Sequence, residues 1–433
     1  MGLTKNQYLT YARLPKWLLP SGWPMEGMAP ALATIHIFEG KVHSVVPSVQ
    51  DDSGTNLSGG LVLPGLVEAH AHLDKTFTIH RLGELQPGLL NAIQAMKSDQ
   101  KNWSYEDLFD RAEQALEQAY RNGVVFLRTH VDWVSENTPL AWDVFGDLAK
   151  KWQSRVRLQR VALIPLGLLE NKAWSRQIAN IIRLSDDSQM GGFIHSSNFT
   201  YIGIKNLIEA ASDEALILDL HIDEELIDEP QGLPALLDIL DGQSFHSRIV
   251  CGHVCALSSV DESVALTLLG RVAKHPITLV TLPGTNLLLQ DARTGRTPRN
   301  RGLTLVNEAM QRNIPTMVAT DNVQDAFCHL GEYDPVKALQ LGVYSGHLQH
   351  AFDVWSQSIC RFDWLNSATD KNFSLVGKEA DFVIFDTKNV SSWPSNIARL
   401  VMRKGQFITN TSIFHSRFDT HFNDQNKEVN DER

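Results

Sequence analysis

Leu63-Pro-Gly-Leu-Val-Glu-Ala-His-Ala-His-Leu-Asp-Lys75 is an apolar run that ends in two histidines one residue apart. Residues i and i+2 of a β-strand point to the same face, so His70 and His72 are placed to offer two imidazoles side by side. Paired imidazoles suit a transition-metal ion. A lone His-x-His carries little weight, and the rest of the chain decides what this one means.

Outward from that segment the pattern is strand then helix. Short apolar runs at 124–129, 158–164, 215–220, 247–251, 278–282 and 316–319 read as strands. The stretches between them, such as 105–122 and 303–313, carry helical periodicity. Seven or eight such units between about residue 61 and about residue 320 are what a (β/α)8 TIM barrel, an α/β fold, requires. A doubly wound sheet would share the alternation, but the number of repeats favours the barrel.

Both ends of the chain read as β. Ala33-Thr-Ile-His-Ile-Phe38 and Lys41-Val-His-Ser-Val-Val46, joined by Glu39-Gly40, form a candidate hairpin. Ala380-Asp-Phe-Val-Ile-Phe-Asp386 and the 400–408 segment, broken at Lys404-Gly405, are further strands. The expected organisation is a small β-sandwich from 1–62 and 372–413 and a barrel over 63–371. The polar 414–433 tail is expected to be disordered.

Composition narrows the function classes. The 433 residues are 43% hydrophobic and 21% charged, enough for a large core. A net charge of -11 argues against nucleic acid or an anionic membrane as partner. Four cysteines in so long a chain form no disulfide framework. No apolar run long enough for a transmembrane helix and no signal-peptide core is present, so the expected location is the cytoplasm.

Polar clusters follow the candidate strands. Asp219-Leu-His221-Ile-Asp-Glu224-Glu225 comes after the fifth, Cys251-Gly-His253 after the sixth, and Ala319-Thr-Asp321-Asn-Val-Gln-Asp325 after the eighth. In a barrel those positions form the C-terminal rim, where active sites lie. Taken singly, His221 and His253 read as core histidines, Glu224 as a solvated loop residue and Asp321 as a helix cap. Together with His70 and His72, in this order, they read as one metal site.

These residues resemble the amidohydrolase superfamily, and within it the bacterial cytosine deaminase group. The shared phrases are Ala12-Arg-Leu-Pro15, the opening segment through Lys75, Asn122-Gly123 with Arg128-Thr-His-Val-Asp132, and His221-Ile-Asp-Glu224. Asn286-Leu-Leu-Leu-Gln290 with Arg301-Gly302, and Thr320-Asp-Asn-Val-Gln-Asp325, complete the set. The resemblance implies His70, His72, His221 and Asp321 as ligands of one divalent ion, Zn or Fe, which lowers the pKa of bound water toward neutrality. It implies catalytic roles for Asp321 and Glu224 as proton carriers and for His253 as a hydrogen-bond partner of the reacting oxygen. It also implies a homo-oligomer and a small heterocyclic substrate.

Gly191-Gly-Phe-Ile-His-Ser-Ser-Asn198, the strand-four region, lacks the lysine that bridges two metals elsewhere in the superfamily. That favours a mononuclear deaminase over the alternative, a cyclic amide or lactam hydrolase. The cytosine deaminases carry a glutamine after strand three, where Pro165 or Leu166 stands here. Their second strand-eight carboxylate is Asn322, and their aromatic wall residue is Phe327. Leu166, Asn286, Asn322 and Phe327 are therefore the substrate-binding candidates. Cytosine is not singled out; another aminopyrimidine, a pterin or an aminotriazine fits as well. A non-catalytic scaffold would be expected to have lost ligand positions that this chain keeps.

Overall fold

A computed structural model describes residues 6–50, 52–366 and 373–408. Eight parallel strands follow one another in sequence order around a single sheet. They are Leu66–Ala71, Val124–Asp132, Arg157–Pro165, Ser188–Ile194, Leu218–Ile222, Ile249–His253, Ile277–Thr281 and Thr316–Val318. The ring closes where Ala71 bridges Asp321 and the Asp321 N–H donates to the His70 carbonyl at 3.0 Å. The fold is thus a (β/α)8 barrel. Helices such as Tyr105–Arg121, Leu140–Trp152 and Lys172–Leu184 form the crossovers. Ser104 starts the first of these by accepting from the Asp107 N–H, and Asn171 starts the third by accepting from Ala173 and Trp174.

Val67, Phe126, Val250, Val280, Met317 and Leu365 join in one apolar cluster of this unit. Burying each such side chain contributes roughly 1.5–3 kcal/mol. Several strand limits differ from the sequence reading. The fifth strand begins at Leu218 rather than 215, because Ala215 is left-handed at φ 52°. The second, fifth and sixth strands all run on to include a histidine. The sequence reading stopped each of these strands before its histidine, whereas the histidine side chains are buried inside the barrel. The helix expected over 303–313 is confined to Val306–Gln311.

The smaller unit is a β-sandwich built from both ends of the chain. One sheet holds Lys41–Pro47, Ala33–Phe38, Asn6–Ala12 and Thr55–Asn56. The other holds Gln406–Phe407, Arg399–Arg403, Phe382–Phe385 and Leu61–Pro64. Their inner faces share one core, with Leu9, Ile35 and Val42 from the first sheet and Val62, Phe382 and Met402 from the second.

Two boundaries move. Leu63 pairs with Val383 and Pro64 with Phe382, so the sandwich extends to Gly65. Nothing in the hydropathy of 61–71 marks that break except the glycine. His350–Ser356 also belongs to this unit. Asp353 accepts from Arg13 Nη2 at 3.0 Å, and the Phe352 ring lies 5.6 Å from that of Trp393. The 414–433 tail lies outside the described residues. Among the described residues no helix is long and apolar enough to cross a membrane.

Candidate metal centre and active site

The ends of strands one and five bring three imidazoles together. His221 Nε2 lies 3.1 Å from His70 Nε2 and 3.0 Å from His72 Nε2. Asp321 Oδ1 stands 3.5 Å from His70 Nε2 and 3.3 Å from His72 Nε2. All four side chains are buried. Burial first, and the neighbouring imidazoles with it, push the His70 and His221 pKa values well below the ordinary range. For His72 the burial is reinforced by the Lys75 ammonium. The rings are therefore neutral and carry lone pairs. Ligand atoms about 2.0–2.2 Å from a shared centre stand about 3–3.5 Å apart, so the arrangement fits a divalent ion.

The backbone pays for this convergence in strain. Asp223, His253 and Asp321 are non-glycine residues at φ 51°, 68° and 65°. Such left-handed residues are costly and cluster at functional sites. Gly252 leaves room for the His70 ring: a Cβ there would come within 3.0 Å of His70 Cε1.

Glu224 and His253 face the same space. Glu224 Oε1 is 3.3 Å from His253 Nδ1, and Asn286 Nδ2 donates to that nitrogen at 3.1 Å. When Nδ1 accepts from Asn286, the ring proton stands on His253 Nε2, which has no partner among the described residues. Burial holds His253 down at about 4 despite the nearby Asp321 carboxylate. Burial, with Asp321 and Glu225 beside it, pushes the Glu224 carboxyl well above the ordinary range. The neighbouring acids are occupied. Glu225 accepts from the Ser196 backbone N–H at 2.6 Å, and Asp223 accepts from the Gly232 and Leu233 N–H groups at 2.9 and 2.8 Å.

A cavity of about 450 Å³ opens over these groups. His72, His221, Glu224, His253, Asn322 and Phe327 line it, with Leu163, Pro165 and Phe193 as apolar wall. Of the substrate-binding candidates, Asn322 and Phe327 thus reach the cavity and two do not. Leu166 starts the short helix Leu166–Leu169 and is fully buried, so Pro165 is the wall residue of strand three. Asn286 sits behind His253 and orients its ring. Phe193 pairs with His221 across strands four and five, at the level where a bridging lysine would be sought.

Three polar residues escaped the sequence reading. His130 packs against His70 with ring centroids 4.0 Å apart, and its Nε2 lies 3.1 Å from Asp219 Oδ1. Lys75 and Asp132 line the cavity, their nitrogen and Oδ1 2.8 Å apart. Arg128-Thr-His-Val-Asp132 was the available signal, since strand alternation sends residues 128, 130 and 132 to one face. Beneath the site Arg128 Nη1 donates to Asp219 Oδ2 at 2.7 Å. Burial would raise Asp219, but His130 and Arg128 hold it below the ordinary range.

Glu68 ties the ends of the first and eighth strands together: its Oε1 accepts from the Thr320 N–H at 3.0 Å and the His70 N–H at 3.4 Å. Burial outweighs these bonds and pushes its carboxyl up to about 8 from an ordinary 4.5. The folded state thus holds this proton more tightly than the unfolded chain. The resulting stability is complete below the ordinary value and is lost as pH rises through about 8. Thermal denaturation should show a Tm that falls between about pH 4.5 and about pH 8, and less steeply in Glu68→Gln. Identical slopes would remove Glu68 as the source.

A model of the amidohydrolase family matches residues 54–176. The chain is 31% identical over 395 residues to a pterin deaminase of Rhizobium rhizogenes, covering 90% of each protein. It superposes on the 5-methylcytosine deaminase of Klebsiella pneumoniae, liganded with phosphonocytosine, with a TM-score of 0.77 at 23% identity over 93% of this chain and 98% of that one. It superposes on N-isopropylammelide isopropylaminohydrolase of Burkholderia multivorans with a TM-score of 0.71 at 19% identity over 94% and 98%. At those identities the likeness is one of fold. Taken with the buried histidine cluster, these matches show that the chain belongs to the amidohydrolase superfamily, as a deaminase-like, metal-dependent hydrolase of carbon–nitrogen bonds other than peptide bonds.

Proposed function

We propose that the protein is a mononuclear hydrolytic deaminase that releases ammonia, or an amine, from an amino-substituted nitrogen heterocycle such as a pterin, an aminopyrimidine or an aminotriazine. The observation that carries this reading is the convergence of His70, His72, His221 and Asp321 at one end of a cavity that Glu224 and His253 also line. The pterin deaminase relative supports the substrate class. His70, His72, His221 and Asp321 would hold one zinc or iron ion. When bound, that ion would acidify a water so that hydroxide is available at neutral pH.

The remaining steps belong to the chain. Asp321 accepts the proton of the attacking water. Glu224, kept protonated by its surroundings, delivers its proton to the ring nitrogen, takes up the proton that Asp321 removed from the water and passes it to the departing amine; the second proton of the water, lost as the new carbonyl forms, recharges Glu224. His253 Nε2–H donates to the oxygen that becomes the new ring carbonyl. Phe193, Phe327 and Leu163 exclude water from a planar ring. The reading extends to a cytoplasmic homo-oligomer, from the family resemblance and from four buried cysteines that form no disulfide.

The test is ammonia release from pterins, aminopyrimidines and aminotriazines by metal-reconstituted enzyme. At least one class should give ammonia, and Glu224→Gln should lower kcat on that ring by about 10²–10⁴-fold. Ammonia from none of them, or full activity in Glu224→Gln, overturns the proposal.

A further inference from the structure

Beside His72 the cavity holds one buried ammonium and one carboxylate with an oxygen to spare. Lys75 lies in the turn after the first barrel strand, and Asp132 is the last residue of the second. The Lys75 side chain is only 4% exposed. Its Nζ lies 2.8 Å from Asp132 Oδ1, 3.3 Å from each Asp74 carboxylate oxygen and 3.3 Å from His72 Nδ1. Burial alone would lower its pKa, but Asp132 and Asp74 outweigh this and keep it charged.

An ammonium has three N–H groups. One goes to Asp132 and one is shared by the two Asp74 oxygens. The third meets His72 Nδ1, which accepts only when the ring proton is on Nε2. With His72 Nε2 serving as a metal ligand the proton sits on Nδ1, and the third Lys75 N–H is left for the cavity. Asp132 Oδ2 receives no hydrogen bond among the described residues, and its side chain is 23% exposed.

Resting on the deaminase reading, we propose that Lys75 and Asp132 together read the polar edge of the substrate ring. Lys75 Nζ donates to a ring carbonyl oxygen, and Asp132 Oδ2 accepts from the ring N–H next to it. The substrate class is then a heterocycle whose amino-bearing carbon adjoins a lactam edge, –NH–CO–. On the neighbouring wall Leu163, Pro165 and Phe193 are apolar; the other polar lining side chains include Lys97, Gln100 and Asn322, which has one Nδ2–H on Asp325 Oδ2 at 2.6 Å. Two carboxylates around one ammonium leave this lobe net negative, which favours a neutral edge with a donor over an anionic substituent.

A matched pair of ligands tests the edge directly. Pterin carries the lactam edge; aminopteridine is the same ring without the oxo group. Zinc-loaded Glu224→Gln protein, which holds ligands with little turnover, is titrated with each and followed by ligand fluorescence. Pterin should bind on the order of a hundredfold more tightly, because aminopteridine leaves Lys75 and Asp132 unpaired. Adding Asp132→Asn, which keeps an acceptor for Lys75 but replaces the free oxygen by an amide, should shrink that preference to about threefold or less at unchanged zinc content. Equal affinities in the parent protein, binding of neither ring, or an Asp132→Asn variant that weakens both rings alike overturns the proposal. Ammonia release by the wild type is scored separately. Discrimination without ammonia upholds the edge reading and sinks the deaminase, whereas ammonia without discrimination does the reverse.

Discussion

Asp321→Asn is expected to lower kcat by about 10³–10⁴-fold while leaving the protein folded. Asp321 is held at φ 65°, a conformation that asparagine adopts more readily than most residues. Its backbone N–H closes the barrel onto the His70 carbonyl whatever the side chain. The substitution therefore keeps the strand junction and one amide oxygen close to His70 and His72. What it removes is the only oxygen pair at this position that can take a proton. Steady-state rates, read beside metal content and Tm, separate the effects. A variant with full metal content and normal kcat would contradict the role assigned to Asp321.

His221→Ala is expected to cost the metal itself. His221 Nε2 stands between those of His70 and His72, at 3.1 and 3.0 Å, so it is the hub of the cluster. Deleting an outer partner of a ligand typically weakens metal affinity by about 10–100-fold, and loss of a ligand should exceed that. Purified His221→Ala protein should carry little metal and show activity near background. A chelator should do the same to the wild type, reversibly on adding zinc or iron(II), because neutral imidazoles and a carboxylate bind metal in competition with protons and chelators. Undiminished metal content in His221→Ala would remove the residue from the ligand set.

The barrel was legible because its strands are buried on both faces and so read as unbroken apolar runs between amphipathic helices. The order of His70, His72, His221, His253 and Asp321 was legible because each stands at a strand end. Less could be read where burial and polarity coincide. His130 and Asp132 lie inside the second strand, which the apolar pattern ended at residue 129. The pairing of Leu61–Pro64 with Phe382–Phe385 spans most of the chain, and no local pattern announces it. Pro165 and Leu166 are adjacent, and only the start of a helix at 166 decides which one meets the cavity. Asn286 could be placed near the site by its motif, but not assigned to supporting His253 until the 3.1 Å contact was in view.

Glu224 and Glu225 show how the fold separates two like residues. The family resemblance assigns the proton-carrying role to Glu224, and Glu225 stands next to it in the same motif. The turn after strand four supplies Ser196 and His195 to Glu225, which leaves Glu224 as the one of the two that lines the cavity, with its proton retained. The same logic bears on Asp325, whose buried carboxyl is pushed up to about 7 although Asn322 and two backbone N–H groups bond to it. Asn322 therefore presents to the cavity an amide already committed on one side.

The most direct test of the whole reading is a turnover in oxygen-18-labelled water with zinc-loaded enzyme and an amino-substituted ring that it accepts. Hydrolytic deamination predicts one ammonia, or amine, released per ring and one labelled oxygen on the carbon that lost the nitrogen, with the ring intact. A ring-opened product carrying the label in a new carboxylate, with no ammonia or amine released, would contradict it.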